Sequence, residues 1–587
     1  VSSRKSLTIT IAAAALIFGT LTTLFSALDT GDTADEKYYR YAGSTAVESH
    51  QFEYNHEHPP LSKWSSAILP VVTGRHEVTS YRLTHVALYL AYGIALSWLV
   101  ALGAGWGAGS AFACIYSLSP TLKAFASLHV TDFDCAALGS LALAVAWLAH
   151  RRRAPRILLA SITLAAMAAA CKFTGLLFIA FSGLSGWALL YREYGRTRRF
   201  AKEATVFFLS SILVSSLVLF AAYHFRFSEL HWYWDGISFQ RELEKLGRFT
   251  FLLGKESHSG FAYYFAVLLL FKTPLVILAL WTSASVYFFR VARAPRFGVS
   301  EFAHFVLPAW LMIALFSAGR VQIGIRYILP SMLLLTLAAA IWVDCWLECR
   351  IKKAQVRRAV AAIAIVSLLV SDLISISLGD YLSYFNFMAP SPTRNFSDSN
   401  IDWGQGIPAH LQKNLEKTFG RWVAVRSFSP MNDIEPGKTG PLIVAGASEL
   451  NGDWFMPARK LKTLSPLGSL GGYEIFGLTD SERIEWLRMV DEPAPGSNAS
   501  ALCRPRSVRE LRPEEQVPAH SDALVILNAD KDPGDSIRIS GQPLRLTHSD
   551  LGPNEWRAWI AATSVPRPIE FGTVWIKKGK TLTWECP

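Results

Sequence analysis

The residues best suited to chemistry in this 587-residue chain cluster between positions 29 and 80. Asp29, Asp32, Asp35, Glu36, Tyr38 and Tyr39 come first, followed by Asn55-His56-Glu57-His58-Pro59-Pro60-Leu61-Ser62-Lys63. Carboxylates and a lysine together suit a group transfer in which a hydroxyl attacks and a phosphate departs. The attack needs a base, and the departing charge needs a cation. Asp35 is the candidate base. Neighbours on a helix point about 100° apart, so Asp35 and Glu36 have different tasks. Lys63, placed after a rigid Pro-Pro pair, is a candidate phosphate ligand. A residue before proline is extended, which would send His56 and His58 to one side with Glu57 opposite. That pair is a candidate for a divalent metal, with no third ligand at suitable spacing. An ordinary charged connector is the simplest alternative. Against it, the segment is long for a plain connector, and its apolar part, Trp64 to Val72, suits the membrane surface.

Further charges lie at or within apolar runs. Thr131-Asp132-Phe133-Asp134 places two carboxylates about 200° apart on a helix, so only one should face a shared site. Lys172 interrupts an apolar hairpin, Lys272 lies inside the run Ala262 to Trp281, and Arg326 and Tyr327 open the run Ile325 to Pro330. A charge within a span costs about 2.5–3.5 kcal/mol on insertion scales and marks a cavity or pathway. Snorkelling to the interface is the alternative for Lys172 and Arg326. His231-Trp232-Tyr233-Trp234-Asp235 would stack on a sugar or carrier, or belong to an interfacial aromatic belt.

The elements that position these residues are apolar runs. Hydrophobic residues make up 51% of the chain and mean hydropathy is +0.26, which predicts lipid-facing helices. About eleven transmembrane helices are expected, near 7–28, 81–103, 107–122, 132–150, 157–171, 173–190, 203–223, 260–289, 300–318, 325–347 and 359–378. The first is uncharged and longer than the ~7–15 residues of a signal core, so it reads as an uncleaved span. The net charge of +11 gathers in short segments: Arg151 to Arg156, Arg192 to Lys202, Arg290 to Arg296 and Arg350 to Arg358. Such clusters mark cytoplasmic loops and argue against nucleic acid as a partner. With a cytoplasmic N-terminus in the inner membrane, 29–80, 123–131, 224–259 and all residues after Gly379 fall on the periplasmic or extracellular side.

The expected organisation is a membrane catalytic domain over 1–380, an external α/β domain over 395–490 and a mostly-β module over 501–587. Strands are expected at 440–445 and 523–527, helices at 411–418 and 481–490, and a linker at 492–500. Five cysteines (Cys114, Cys135, Cys171, Cys345, Cys349) read as small apolar residues of the spans. Cys503 and Cys586 would be able to pair in an oxidising compartment. Asp398-Ser399-Asn400-Ile401-Asp402-Trp403-Gly404 fails as a calcium loop, because Trp403 and Ala409 stand where glycine and glutamate are needed. It reads as a turn and helix cap instead.

Several of these segments occur in order. Asp35-Glu36, His56 to Lys63, Thr131-Asp132, Phe271-Lys272-Thr273-Pro274, Arg326 to Pro330 and Ser399 to Gln405 together resemble bacterial members of the protein O-mannosyltransferase and aminoarabinose-transferase superfamily. The resemblance covers residues 35 to about 405, and 500–587 match nothing. It implies a GT-C fold, a polyprenyl-phosphate-linked sugar donor and inverting transfer on the external face. It also implies Asp35 as general base, with Glu36, His58 and Lys63 around it, Asp132 in a second acidic motif and Arg326 on the phosphate. Lys172 and Lys272 join this set on their chemistry. No cofactor is required, a divalent metal being optional, and the acceptor is a protein, lipid or glycan. A transporter or flippase of lipid-linked sugars is one alternative, but no internal repeat with matched broken helices is visible. A membrane-anchored sensor or envelope assembly protein is another; an anchor would not need Lys272 or a charged first loop.

Overall fold

The computed structural model describes residues 2–290, 298–377 and 380–407, and beyond them short stretches between 424 and 585. It divides into two units, Val1–Trp403 and Gly404–Pro587. The first unit is helical. Its helices are α1 (Ser2–Asp29), α2 (Glu36–Ser49), α3 (Leu61–Thr73), α4 (Val78–Ala104), α5 (Trp106–Ser117), α6 (Pro120–Ala126), α7 (Thr131–Arg152), α8 (Leu158–Cys171), α9 (Leu176–Tyr194), α10 (Arg198–Ala222), α11 (His231–Leu246), α12 (Tyr264–Lys272), α13 (Leu275–Arg290), α14 (Val299–Glu301), α15 (Leu307–Ser317), α16 (Leu329–Arg350) and α17 (Ala354–Ser377).

Among the described residues, eight helical segments are long and apolar enough to cross a bilayer. They are α1, α4, α7, α9 and α16 (the last two each with the turn before it), α10, α17, and α14 joined to α15 through a π-helical turn, Phe302–Val306. The chain is a polytopic α-helical membrane protein. Helices α7 and α16 are apolar on every side and almost wholly enclosed by their neighbours, as central helices of a bundle must be. Helix α10 presents Leu209, Ile212, Leu213 and Leu217 outward, where lipid would cover them.

Three of the eleven expected runs form shorter or interrupted helices. The run 107–122 stops at Leu118 and restarts at Pro120 as the seven-residue α6. The run 157–171 yields only the 14 residues of α8. The run 260–289 is cut between α12 and α13 at Thr273-Pro274, because proline removes a backbone donor and clashes with the preceding turn. The carbonyls left at that break find partners elsewhere. Asn386 Nδ2 donates to Leu270 O at 2.6 Å and Thr273 O at 2.9 Å, and the Asn386 N–H donates to Phe271 O at 2.8 Å. Apolar composition registers a run; backbone continuity decides a span.

In the second unit, the strands Ala424–Arg426 and Leu442–Gly446 pair in parallel, and Tyr473–Gly477 and Gly468–Leu470 extend the sheet antiparallel. A separate antiparallel sheet contains Ser521–Ala529 between Glu555–Ile560 and Ile576–Glu585. The strand expected at 523–527 lies inside Ser521–Ala529; of the one expected at 440–445, residues 442–445 lie in Leu442–Gly446, and 440 and 441 fall outside the described residues. The expected helix at 411–418, all but Ser481 of 481–490, the linker 492–500, and Cys503 and Cys586 fall outside the described residues.

The connection between α1 and α4 is folded around one arginine. Arg82 of α4 donates from Nε to Glu36 Oε1 at 2.7 Å and from Nη2 to Glu36 Oε2 at 2.5 Å. Its remaining N–H groups reach the carbonyls of Ala27, Thr30 and Gly31. Both side chains are fully buried. Arg82 thus ties the end of α1 to the start of α2, and Gly43 lets α2 pack tightly on α3, since a Cβ there would lie 2.4 Å from Lys63 O. Removing one member of a buried ion pair leaves the other uncompensated, at a cost of about 3–5 kcal/mol. Arg82→Leu should therefore lower the thermal midpoint of the purified protein sharply. An unchanged melting curve would contradict this role.

Candidate active site

Asp35 is the N-cap of α2, yet its carboxylate caps nothing. It turns toward the bundle, where Arg326 Nη1 donates to Asp35 Oδ2 at 3.1 Å. The Arg326 side chain is 6% exposed and that of Asp35 is 33% exposed, so the pair joins an enclosed cation to an accessible base. Tyr39, one turn along α2, reaches the same oxygen at 3.5 Å. Burial and the Asp35 charge push the Tyr39 phenol well above its usual range, so it remains a donor.

A second pair lies beside the first. Lys172, which ends α8 in an extended conformation, is ion-paired to Asp132 Oδ1 at the start of α7. Its ammonium also lies 4.8 Å from the centre of the Tyr327 ring. Asp134 faces elsewhere, accepting from Ser62 Oγ at 2.5 Å and lying 3.7 Å from His85 Nδ1, as the angular spacing of Asp132 and Asp134 requires. His58 is half-buried with its ring 5.8 Å from that of Tyr39, and Lys172, Lys63 and Arg326 act on it electrostatically. Three buried atoms here have no protein hydrogen-bond partner: Arg326 Nε, Asp132 Oδ2 and His58 Nδ1. A buried polar atom without a partner is costly unless a ligand or water completes it.

Of the expected site residues, Asp35, Asp132, Lys172, Arg326, Tyr327 and His58 belong to this group. Three others stand among different partners. Glu36 is saturated: besides Arg82 it accepts from the N–H of Thr33 at 2.8 Å, the Thr33 hydroxyl at 3.1 Å and the N–H of His129 at 2.7 Å. These donors, with Arg82, hold its carboxyl below the usual range against the opposing effect of burial, which alone would raise it. Both of its oxygens are thus occupied by donors that hold α1, α2 and α4 together. Lys63 donates to Asn55 O at 2.7 Å, Asn55 Oδ1 at 3.3 Å and His58 O at 2.7 Å, so it folds the turn that carries His58 and has no hydrogen left for a phosphate. Lys272 donates to the carbonyls of Leu382 and Tyr384 at 2.8 and 3.1 Å, and to that of Asn400. These contacts join α12 to the chain after α17.

The two histidines of the expected metal pair meet different neighbours. His56 Nδ1 meets Glu53 O at 2.9 Å and its ring lies against Trp232, while His58 turns inward. Among the described residues, no three His, Cys, Asp or Glu side chains gather as a metal set. Trp232 and Tyr233, expected as sugar-stacking candidates, pack on His56 and Phe173 respectively. Sequence reasoning missed Arg82 and the ring of Trp403, which lies 3.9 Å from the Arg326 guanidinium carbon. An arginine within the apolar run of α4 was a usable signal for the first; nothing local marks the second.

No family profile and no curated protein matches the chain. Solved structures do. ArnT from Cupriavidus metallidurans bound to undecaprenyl phosphate aligns with a TM-score of 0.42 at 17% identity, covering 63% of this chain and 72% of that one. The oligosaccharyltransferase of Archaeoglobus fulgidus in the apo form aligns at 0.45 and 12% identity, covering 98% and 94%. Arabinosyltransferase EmbB from Mycobacterium smegmatis aligns at 0.38 and 10% identity, covering 98% and 64%.

Burial, with the nearby Lys172, Lys63 and Arg326 cations, holds the His58 imidazole well below its ordinary range. The folded state then binds fewer protons than the unfolded one once the pH drops under ~6.5, so stability falls with acidification by up to ~1.4 kcal/mol per pH unit. The melting temperature should decline from pH 7 to pH 5, and His58→Gln should flatten part of that decline. Identical pH profiles for the two proteins would remove His58 as a contributor.

Proposed function

We propose that the chain is an inverting glycosyltransferase that takes a sugar from a polyprenyl-phosphate carrier, with Asp35 as general base. The observation that carries this reading is the ion pair between accessible Asp35 and enclosed Arg326, set beside Lys172–Asp132. An arriving phosphate competes with Asp35 for Arg326, and guanidinium groups suit phosphate oxygens in geometry as well as charge. Asp35 is thereby released at the moment a base is needed.

The step balances simply. The acceptor O–H gives its proton to an Asp35 oxygen while its oxygen bonds to the anomeric carbon. The bond from that carbon to the phosphate oxygen breaks, and its electron pair leaves on the phosphate, opposite Arg326 and Lys172. Attack and departure on opposite faces invert the anomeric centre. Asp132 holds Lys172 in place, and its second oxygen remains available to a sugar hydroxyl. Positioned cations and a positioned base are the two contributions such chemistry requires. The site faces the external side of the membrane in this reading, with the positive clusters on the other.

The test is transfer from labelled polyprenyl-phosphate sugars in membranes carrying the protein. Asp35→Asn should lower turnover by on the order of 10²–10⁴-fold. Lys63→Ala should act mainly through stability, since Lys63 is spent on the loop. Full transfer by Asp35→Asn would remove Asp35 as base, and no turnover of any such donor by the unmodified protein would remove the reading.

A further inference from the structure

The stretch Ser397 to Trp403, which follows α17, grips both partners of the Asp35–Arg326 pair. Asn400 Oδ1 accepts the N–H of Ile325 at 2.9 Å, and Ser399 Oγ donates to Ile323 O at 2.6 Å. These two contacts hold the chain on either side of Gly324, which has φ +152° and where a Cβ would lie 2.0 Å from Ser399 Oγ. Arg326 is two residues further on. Lys272 fixes the stretch from the opposite side through the Asn400 carbonyl.

Trp403 completes the grip. Its carbonyl accepts the N–H of Ala34, the residue before Asp35, at 2.9 Å. Its ring covers one face of the Arg326 guanidinium, with 3.9 Å from the central carbon to the ring centre, and the residue is 1% exposed. A cation on a desolvated indole is a strong contact, and tryptophan is the best of the aromatic faces. One face of Arg326 is thus covered and Nη1 is spent on Asp35, while Nε has no protein partner. Nε is thus the buried guanidinium position open to an incoming anion before Asp35 gives up Nη1.

We propose that Trp403 is a positioning residue of the transfer site: it orients the Arg326 guanidinium so that the Nε edge receives the carrier phosphate, and it fixes the backbone leading into Asp35. The inference rests on the carrier-phosphate reading above and adds the element that sets its geometry. Trp403 touches no reacting atom. It acts through Arg326.

The probe is undecaprenyl phosphate, titrated against the full-length protein in nanodiscs by native mass spectrometry. Trp403→Leu should weaken binding by roughly 10- to 30-fold, the range expected of a desolvated cation–aromatic contact. Trp403→Phe should weaken it about threefold, since a smaller face remains. In an Arg326→Ala background both losses should vanish, because a contact that acts through Arg326 has nothing left to orient. If Trp403→Leu fails to fold, the Trp403→Phe cycle carries the same comparison. Unchanged affinity in the Trp403 variants, or an equal loss with and without Arg326, would overturn the inference and leave the carrier reading intact. Failure of the unmodified protein to bind undecaprenyl phosphate would overturn both.

Discussion

An enclosed guanidinium must be matched by negative charge, and the match made by Arg326 shapes the whole membrane unit. Its partner, Asp35, lies 291 positions earlier in the chain. To bring them together, the turn before α16 has to meet the start of α2, with α7 and α8 alongside. Arg82 anchors α2 from below through Glu36, and Trp403 spans the two partners from above. The pair is asymmetric in exposure, which gives it a use. A fully buried pair would be a rivet; this one has a carboxylate that can change partners without first being unearthed.

The charges of the bundle divide by how completely they are satisfied. Glu36, Lys63 and Lys272 each use several hydrogen-bonding positions on neighbouring backbone or side chains. Such groups specify chain positions and gain nothing from a ligand. Arg326, Asp132 and His58 each retain a buried atom without a protein partner, and they are neighbours. The buried pair Lys123–Asp372, with Thr22 donated to at 2.7 Å and Tyr381 nearby, belongs to the scaffold class and ties α17 to α6 and α1.

Much of this was legible in the sequence, for definable reasons. Apolar runs located all eight helical segments that, among the described residues, are long and apolar enough to cross a bilayer, because burial in lipid demands composition. Proline-broken runs were overcounted, because Pro120 and Pro274 interrupt the backbone without changing hydropathy. Asp35, Asp132, Lys172 and Arg326 stood out as charges at the ends of apolar segments. The spacing of Asp132 and Asp134 correctly assigned them to different faces. What remained hidden was valence. Lys63 after two prolines looks like a free cation until the turn at Asn55 to His58 is seen folded over its ammonium. Trp403 could not be singled out, since its partners Ala34 and Arg326 are remote in the chain and its own neighbourhood carries no periodic signal.

The most direct test is a structure of the protein with undecaprenyl phosphate bound, by electron cryomicroscopy in nanodiscs. The account predicts the phosphate within hydrogen-bonding distance of Arg326 and Lys172, with the Asp35 carboxylate released from Arg326 and open to the site. A phosphate bound elsewhere, with the Asp35–Arg326 pair intact, would contradict it.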